Sequence, residues 1–362
     1  MIARAAPRIT SVATALPSHV VGQEQAREFV EQLFGESFAD DRRLFAVFDH
    51  AGIERRHVCM PLAWYGEPHR FGEANERYVE HALALSAEVA RAALERSGLE
   101  PADVDQIVFV SSTGIATPSL DARLSNLLGF RRDLRRTPLW GLGCAGGAAG
   151  LSRAREFAIA DPEARVLLIA IELCSLTFQR GEPSRRNLVA TSLFSDGAAA
   201  AVIAGAQADV TARPHPPVAL VASRSTLWPD SLDVMGWEVD EHGLHVVFSR
   251  DIPTIVRDWV RPDFESFLGE HGLRLDQLDR VIAHPGGPKV LAAYQQALGL
   301  SHEALRHAED VLRTCGNMSS PTCLFVLERA LQANELGPGE TAVLAALGPG
   351  FSSEYVLLEG LP

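Results

Sequence analysis

Three residues able to take part in covalent chemistry stand at element ends: Cys144 in WGLGCAGGAAGLSRA, His284 in VIAHPGGPKVL and Asn317 in CGNMSSPT. A thiolate is a nucleophile, an imidazole a proton partner or donor, and a carboxamide a donor to a developing oxyanion, so the set suits acyl transfer. Cys144 follows an apolar strand and opens a helix of small residues, where unpaired N–H groups and the positive helix end lower a thiol pKa. The competing reading is a buried, inert cysteine. His284 ends an apolar strand ahead of Pro-Gly-Gly-Pro, which forces an irregular turn; a hydrogen-bonded structural histidine is its alternative. Asn317 taken alone reads as a helix N-cap. Its register argues otherwise, because Gly143-Cys144 and Gly316-Asn317 each open a predicted helix, 173 residues apart. Upstream, GLEPADVDQIVFV (Gly98 to Val110) is echoed by GLRLDQLDRVIAH (Gly272 to His284) at an offset of 174. Two registered echoes point to a duplicated α/β unit.

The elements that must position these residues follow from hydrophobic periodicity. Arg8 to Leu16 reads as a strand, and the charged, aromatic-rich stretch from Val20 to Tyr78 has no counterpart in the second half. A helix from Val79 to Ser97 stops at Gly98, and strand Gln106 to Ser111 follows. After the loop Thr113 to Pro118 come a helix, strand Pro138 to Leu142, the Cys144 helix, strand Ala164 to Ile171 and the apolar run Gly197 to Ile203. AQADVTARPHPP (Ala206 to Pro217) is the expected linker, since its prolines prevent regular structure. The rhythm resumes with strands Val218 to Ser223 and Val246 to Phe248, helix Ile252 to Leu268, strand Val281 to Ala283, helices Lys289 to Leu298 and Asn317 to Leu331, and strand Thr341 to Leu347. Buried strands alternating with helices predict layered α/β sheets in two pseudo-symmetric halves, with the site between them. Residues 1–210 carry the cysteine and 211–362 the histidine and asparagine.

Composition narrows the function classes. With 362 residues, 47% hydrophobic and 22% charged, the chain reads as an ordinary globular protein able to bury a large core. A formal charge of −13 argues against a general nucleic-acid or membrane-surface binder. Lys289 is the only lysine, a bias of composition with little to say about mechanism. Cys59, Cys144, Cys174, Cys315 and Cys323 are widely spaced without a CxxC pair, so neither a disulfide framework nor a zinc site is signalled. No leader-like segment and no run near the roughly 18 apolar residues of a membrane span is present, so a cytoplasmic protein with reduced thiols is expected.

GCAGGAAGL around Cys144, AHPGGP around His284 and GNMSS around Asn317 resemble, in order and spacing across nearly the whole chain, the three active-site motifs of type III polyketide synthases. These are the chalcone synthase-like branch of the thiolase superfamily. LFSDGAAAAVI (Leu193 to Ile203) is similar to that family's LFGDGAAA segment, and LGPG (Leu347 to Gly350), with Gly348 and Pro349, to its GFGPG loop. The resemblance implies a duplicated thiolase-like αβαβα layered fold. It implies Cys144 as the acyl-carrying nucleophile, His284 and Asn317 as donors that promote decarboxylation, and Phe194 as an aromatic gate beside the CoA tunnel. Malonyl-CoA and an acyl-CoA starter would be the substrates, with no metal or redox cofactor, and a homodimer the assembly.

Several further positions carry over by the same resemblance. Arg55 and Arg56 in GIERRHV match basic residues that bind CoA phosphates, with a solvated charge pair as the alternative. Cys174 and Thr177 in ELCSLTF match pocket positions; the second gate phenylalanine falls at Val246, and the position of the plant dimer-crossing methionine at Thr117 in GIATPS. VMGWEV (Val234 to Val239) looks like bacterial relatives. Smaller gate side chains suggest room for a long chain, hence a fatty acyl starter and an alkylpyrone or alkylresorcinol product. Three rivals remain open at this point. A ketoacyl synthase of fatty-acid initiation would use the same trio with acyl carrier protein, and a thiolase-fold scaffold would bind acyl chains without catalysis. A papain-like hydrolase shares the order Cys, His, Asn but not the duplication or a CGSCW-like segment.

Overall fold

The computed structural model describes residues 6–210, 214–248 and 252–362. Its strands are β1 (Arg8–Ala15), β2 (His19–Gly22), β3 (Arg55–Val58), β4 (Gln106–Val110), β5 (Arg135–Leu139), β6 (Arg165–Leu173), β7 (Asp196–Ala204), β8 (Val218–Leu227), β9 (Met235–Asp240), β10 (Gly243–Phe248), β11 (Arg280–Ala283), β12 (Thr341–Gly348) and β13 (Ser352–Gly360). Nine of them form one mixed sheet in the order β11-β12-β13-β8-β1-β7-β6-β4-β5. The duplication is visible in the pairing. β4 runs parallel to β6, and β6 and β1 run antiparallel to β7. β11 likewise runs parallel to β12, and β12 and β8 antiparallel to β13. The half-sheets meet through Arg8↔Ala219 and Ile9↔Val218.

Alternation along each strand divides the core into layers. On β4, Ile107 and Phe109 join the cluster of Ala82, Ala90 and Leu94 from the Phe71–Ser97 helix, whereas Val108 and Val110 join Ala148 and Leu151 from the Gly146–Ala160 helix. The Gly146–Ala160 and Thr322–Gln332 helices each pack on strands of both half-sheets and form the central layer. On the far side, Phe264 and Phe267 of the Arg261–Glu270 helix sit 5.2 and 5.7 Å from the ring of Tyr355 on β13. The layers read helix, sheet, helix, sheet, helix, and the thiolase-like expectation is borne out.

Several element ends depart from the sequence reading for local reasons. The helix expected from Val79 begins at Phe71, where the Glu73 carboxylate accepts the Arg70 N–H at 3.0 Å. The strand expected at Pro138 to Leu142 lies at Arg135–Leu139, on the sheet edge, where a proline costs no ladder bond and arginines face water. The helix placed at Asn317 starts five residues later, at Thr322. Not foreseen were the Arg306–Cys315 helix, β9 and β13. Part of the expected linker, residues 211–213, lies outside the described residues.

Glycine explains how closely the central helices approach. A Cβ on Gly147 would lie 2.3 Å from the Ser320 carbonyl oxygen and 2.6 Å from the Cys323 sulfur. Gly147→Ala must therefore push backbone apart, and should lower unfolding free energy by about 1–3 kcal/mol despite alanine's helix propensity. Gly72, also helical, has nothing within 4 Å of its ideal Cβ, so Gly72→Ala should raise stability by up to about 1 kcal/mol. Denaturant unfolding of the two variants beside the parent checks both signs.

Candidate active site

Cys144 sits in a three-residue 3-10 turn, Gly143–Ala145, that runs straight into the Gly146–Ala160 helix. Gly143 has φ +46° and its N–H donates to Ser112 Oγ at 3.2 Å. The Gly348-Pro349 loop lies over this turn: a Cβ on Gly348 would stand 2.5 Å from the Leu142 oxygen, and one on Gly143 would stand 2.8 Å from Pro349 Cδ. No side chain fits at either place, which is why both positions are glycine. Cys144 is buried, and burial pushes its thiol up to about 11, with the neighbouring Ser319 and Asn317 side chains acting in the opposite direction.

His284 follows the last residue of β11, and its N–H donates to the Ala345 oxygen of β12 at 2.8 Å. The ring is 3% exposed and neither nitrogen has a hydrogen-bond partner. Burial alone pulls its pKa down to about 3. The resting pair is therefore a neutral thiol and a neutral imidazole, and the low thiol pKa expected from the helix end is outweighed by desolvation.

Asn317 is no helix cap. Its backbone forms a parallel bridge with Phe194, the Asn317 N–H donating to the Leu193 oxygen and the Ser195 N–H to the Asn317 oxygen, both at 2.9 Å. The side-chain Oδ1 accepts the Ser319 N–H at 2.8 Å and Nδ2 donates to the Gly286 oxygen at 3.1 Å. Those bonds fix the amide's orientation and leave its second N–H for a ligand. Gly286 also flanks the histidine, since a Cβ there would be 3.8 Å from His284 Nε2. Asn317 thus stands between the Cys144 sulfur and the His284 loop.

Two buried carboxyls brace these loops. Glu172, on β6, accepts from the Ser112 N–H (2.8 Å), Thr113 Oγ1 (2.8 Å) and Ser320 Oγ (2.9 Å), and burial lifts its pKa to about 7. Asp196, on β7, accepts from the Ser175 N–H (2.7 Å), Ser175 Oγ (2.5 Å) and the Cys59 N–H (2.7 Å), with burial lifting it to about 6. Neither carboxyl, nor Ser319, entered the sequence reading. Glu172 left a signal: it is the one charged residue inside the run VLLIAIEL.

Of the other expected site residues, Phe194, Cys174, Thr177, Val246 and Arg56 line one apolar cleft of about 70 Å3, together with Phe29. Thr177 also borders a more polar cavity of about 720 Å3, lined too by Thr113. The ring neighbours of Phe194 are Trp237 at 6.2 Å and Phe248 at 5.7 Å, which the sequence reading missed. Thr117 is exposed and lines neither space, and Arg55 is exposed on β3. Arg56 is corrected. It is 4% exposed and both terminal nitrogens of its guanidinium are bonded to Gln23 and to the carbonyls of Thr191, Ser192 and Phe194, so it presents no fork to a CoA phosphate.

A neutral resting thiol has a kinetic signature, because the thiolate is the reactive form. Iodoacetamide alkylation of the Cys144 peptide, followed by mass spectrometry, should quicken by about tenfold per pH unit through neutrality toward about 11. A rate that is flat from about pH 6 to about pH 9 would show a preformed thiolate–imidazolium pair instead.

Comparison with known proteins agrees with this geometry. Residues 2–208 match the N-terminal domain of the chalcone and stilbene synthases and residues 219–362 their C-terminal domain. A chalcone synthase-like protein of Bacillus subtilis (strain 168) is 44% identical over 356 residues, covering 96% of this chain and 97% of that one. The 1,3,6,8-tetrahydroxynaphthalene synthase of Streptomyces peucetius subsp. caesius is 43% identical, covering 97% and 92%. The crystal structure of the 1,3,6,8-tetrahydroxynaphthalene synthase of Streptomyces coelicolor A3(2) superposes with a TM-score of 0.90 at 30% identity, covering 98% of this chain and 99% of that one. The carrier-protein and hydrolase readings left open by the residues give way, and the chain belongs to the chalcone and stilbene synthase family as a type III polyketide synthase, an acyltransferase of the decarboxylating Claisen class.

Proposed function

We propose that Cys144 carries the growing acyl chain and that His284 and Asn317 hold the malonyl-derived enolate. The observation that carries this is a buried imidazole with two unpartnered nitrogens, one loop away from an oriented amide that also meets the Cys144 sulfur. Buried polar atoms without partners are costly, so a site that keeps them is built for a ligand. Cys144 gives its proton to neutral His284 as the sulfur adds to the starter thioester, and the collapsing intermediate expels CoA, which takes up the proton. In malonyl-CoA the bond to the carboxylate then breaks, carbon dioxide leaves, and the electron pair becomes an enolate whose oxygen accepts from His284 and Asn317. The enolate carbon attacks the Cys144 thioester, the sulfur leaves, and the chain is two carbons longer on CoA. No step calls for a metal or redox cofactor.

The starter we favour is a fatty acyl-CoA, closed to an alkylpyrone or alkylresorcinol. Its support is the apolar cleft that runs from Phe194 and Val246 to Phe29, in which Val246 stands where a bulkier gate would block a chain. A second reading is favoured by the larger, more polar cavity beside Thr177 and by relatives named for 1,3,6,8-tetrahydroxynaphthalene, a polyhydroxylated aromatic that malonyl units alone can supply. The 70 Å3 cleft must widen to take an alkyl chain, whereas the 720 Å3 cavity is already of ligand size. We place the enzyme in the cytoplasm as a homodimer; its five free, buried cysteines suit a reducing compartment. Among the described residues no helix is long and apolar enough to cross a membrane.

Asn317→Ala should slow carbon dioxide release from malonyl-CoA on the order of a hundred- to a thousandfold, the usual cost of one oxyanion donor. Isotope release assays on Asn317→Ala and His284→Ala check this, and normal decarboxylation in both would overturn the roles assigned. Product mass spectrometry with malonyl-CoA and starters from acetyl- to stearoyl-CoA separates the two product readings. Alkylated pyrones or resorcinols of one length class support the first, and a naphthalene formed without any added starter supports the second.

A further inference from the structure

Arg56 is a buried cation without a carboxylate. All of its hydrogen-bond acceptors are neutral: Gln23 Oε1 and the carbonyls of Thr191, Ser192 (2.8 Å) and Phe194 (3.2 Å). Removing a charge from water without a counter-ion is expensive, so its surroundings must offset the cost. They do so with a helix end. Thr191 to Leu193 is the last turn of the Arg185–Leu193 helix, where carbonyls lack intrahelical partners and carry the negative end of the dipole. Burial lowers the Arg56 pKa to about 10, which leaves it charged at neutral pH. Gln23 completes the bracket, its Nε2 donating to the Ser192 oxygen at 3.2 Å and the Phe48 oxygen at 2.9 Å.

The carbonyls from Thr191 to Phe194 divide between Arg56, which shares Ser192 with Gln23, and the backbone of Asn317. Arg56 takes three, and the fourth, Leu193, accepts the backbone N–H of Asn317. Phe194 begins where the helix ends and is bridged to Asn317. Space at this junction is closed, because a Cβ on Gly316 would meet Ser195 Cβ at 2.9 Å and Arg56 Cβ at 3.5 Å. We propose that Arg56 is a positioning residue that holds the gate Phe194 and the donor Asn317 as one rigid unit, so that starter admission and malonyl decarboxylation are set by the same buried guanidinium. This rests on the reading of Asn317 as the enolate donor. A lysine keeps the charge but has a single donor centre, and cannot reach three carbonyls and an amide at once.

The test is Arg56→Lys in the full-length protein, with decarboxylation counted per Cys144 acylated, as measured by intact-protein mass. A shift of about 1 Å at a reacting group costs up to roughly a hundredfold, so the kcat for carbon dioxide release should fall by at least about tenfold with the malonyl-CoA KM changed by less than about threefold. The accepted starter lengths should broaden in the same variant. A merely structural role would lower the melting temperature and leave turnover per acylated site and the length profile as in the parent, and that outcome overturns the proposal. If Arg56→Lys does not fold, Gln23→Leu decides: a several-fold fall in decarboxylation of the same character supports the bracket, and parental turnover overturns it. Asn317→Ala separates the two levels. Should it decarboxylate normally, the reading of Asn317 fails; should it be inactive while Arg56→Lys is parental per site, only the positioning role fails.

Discussion

The contact on which the site depends is the close approach of the two central helices between the half-sheets. The N-terminus of the Gly146–Ala160 helix can lie against Ser320 and Cys323 only because Gly146 and Gly147 have no side chains there. That approach sets the distance between the halves, and therefore the distance between a sulfur on one and an amide on the other. The rest is arranged around it. Both half-sheets bury both faces, which leaves their strands no freedom of register, since a slip of one residue would turn every side chain to the wrong layer. Cys144, His284 and Asn317 each hang from an end of this rigid stack.

The polar machinery is buried by the packing around it, and that burial governs its protonation. Glu172, Asp196 and Arg56 are each buried with neutral partners. The same desolvation that lifts Glu172 and Asp196 lifts the Cys144 thiol and depresses His284. In the proposed cycle a neutral imidazole can accept a proton during loading and later donate one N–H to an enolate, so a neutral resting state suits both halves of that proposal. A permanent imidazolium would serve only the second.

The trio was legible because each member interrupts an apolar element with glycine or proline beside it, and because the halves repeat. Layering was legible too, since strands buried on both faces read as continuous apolar runs such as β6 and β7. What escaped is instructive in physical terms. Near its start β13 carries Ser353 and Glu354, polar residues that are buried because Asp263 and Ser225 bond them from distant segments, as in Ser225 Oγ to Glu354 at 2.5 Å. The Arg306–Cys315 helix puts Arg306, Glu309 and Arg313 on its solvent side and buries only Ala308, Val311, Leu312 and Cys315. Arg56 reads as a surface charge until its carbonyl acceptors, more than a hundred residues away, are seen. For β13 and Arg56 alike, the partner that reverses the meaning of a polar residue is remote in sequence.

The duplication also explains why equivalent positions do different work. In the first half, Cys144 lies two residues ahead of the start of its α-helix at Gly146, so the sulfur rides on a helix end. In the second, Asn317 lies five residues ahead of Thr322, and the added Met318, Ser319 and Ser320 each reach into the other half. Met318 fills the space over Gly197, where a Cβ would meet its sulfur at 2.4 Å; Ser319, at φ +59°, lowers the pKa of the Cys144 thiol; Ser320 donates to Glu172. Those contacts detach Asn317 from its helix and allow its backbone to bridge Phe194 instead. A symmetric pair of helix ends would give two anion sites facing one another. The longer connection breaks that symmetry, leaving the Cys144 thiol on one side, the Asn317 amide on the other, and the backbone of Phe194 bridged to Asn317.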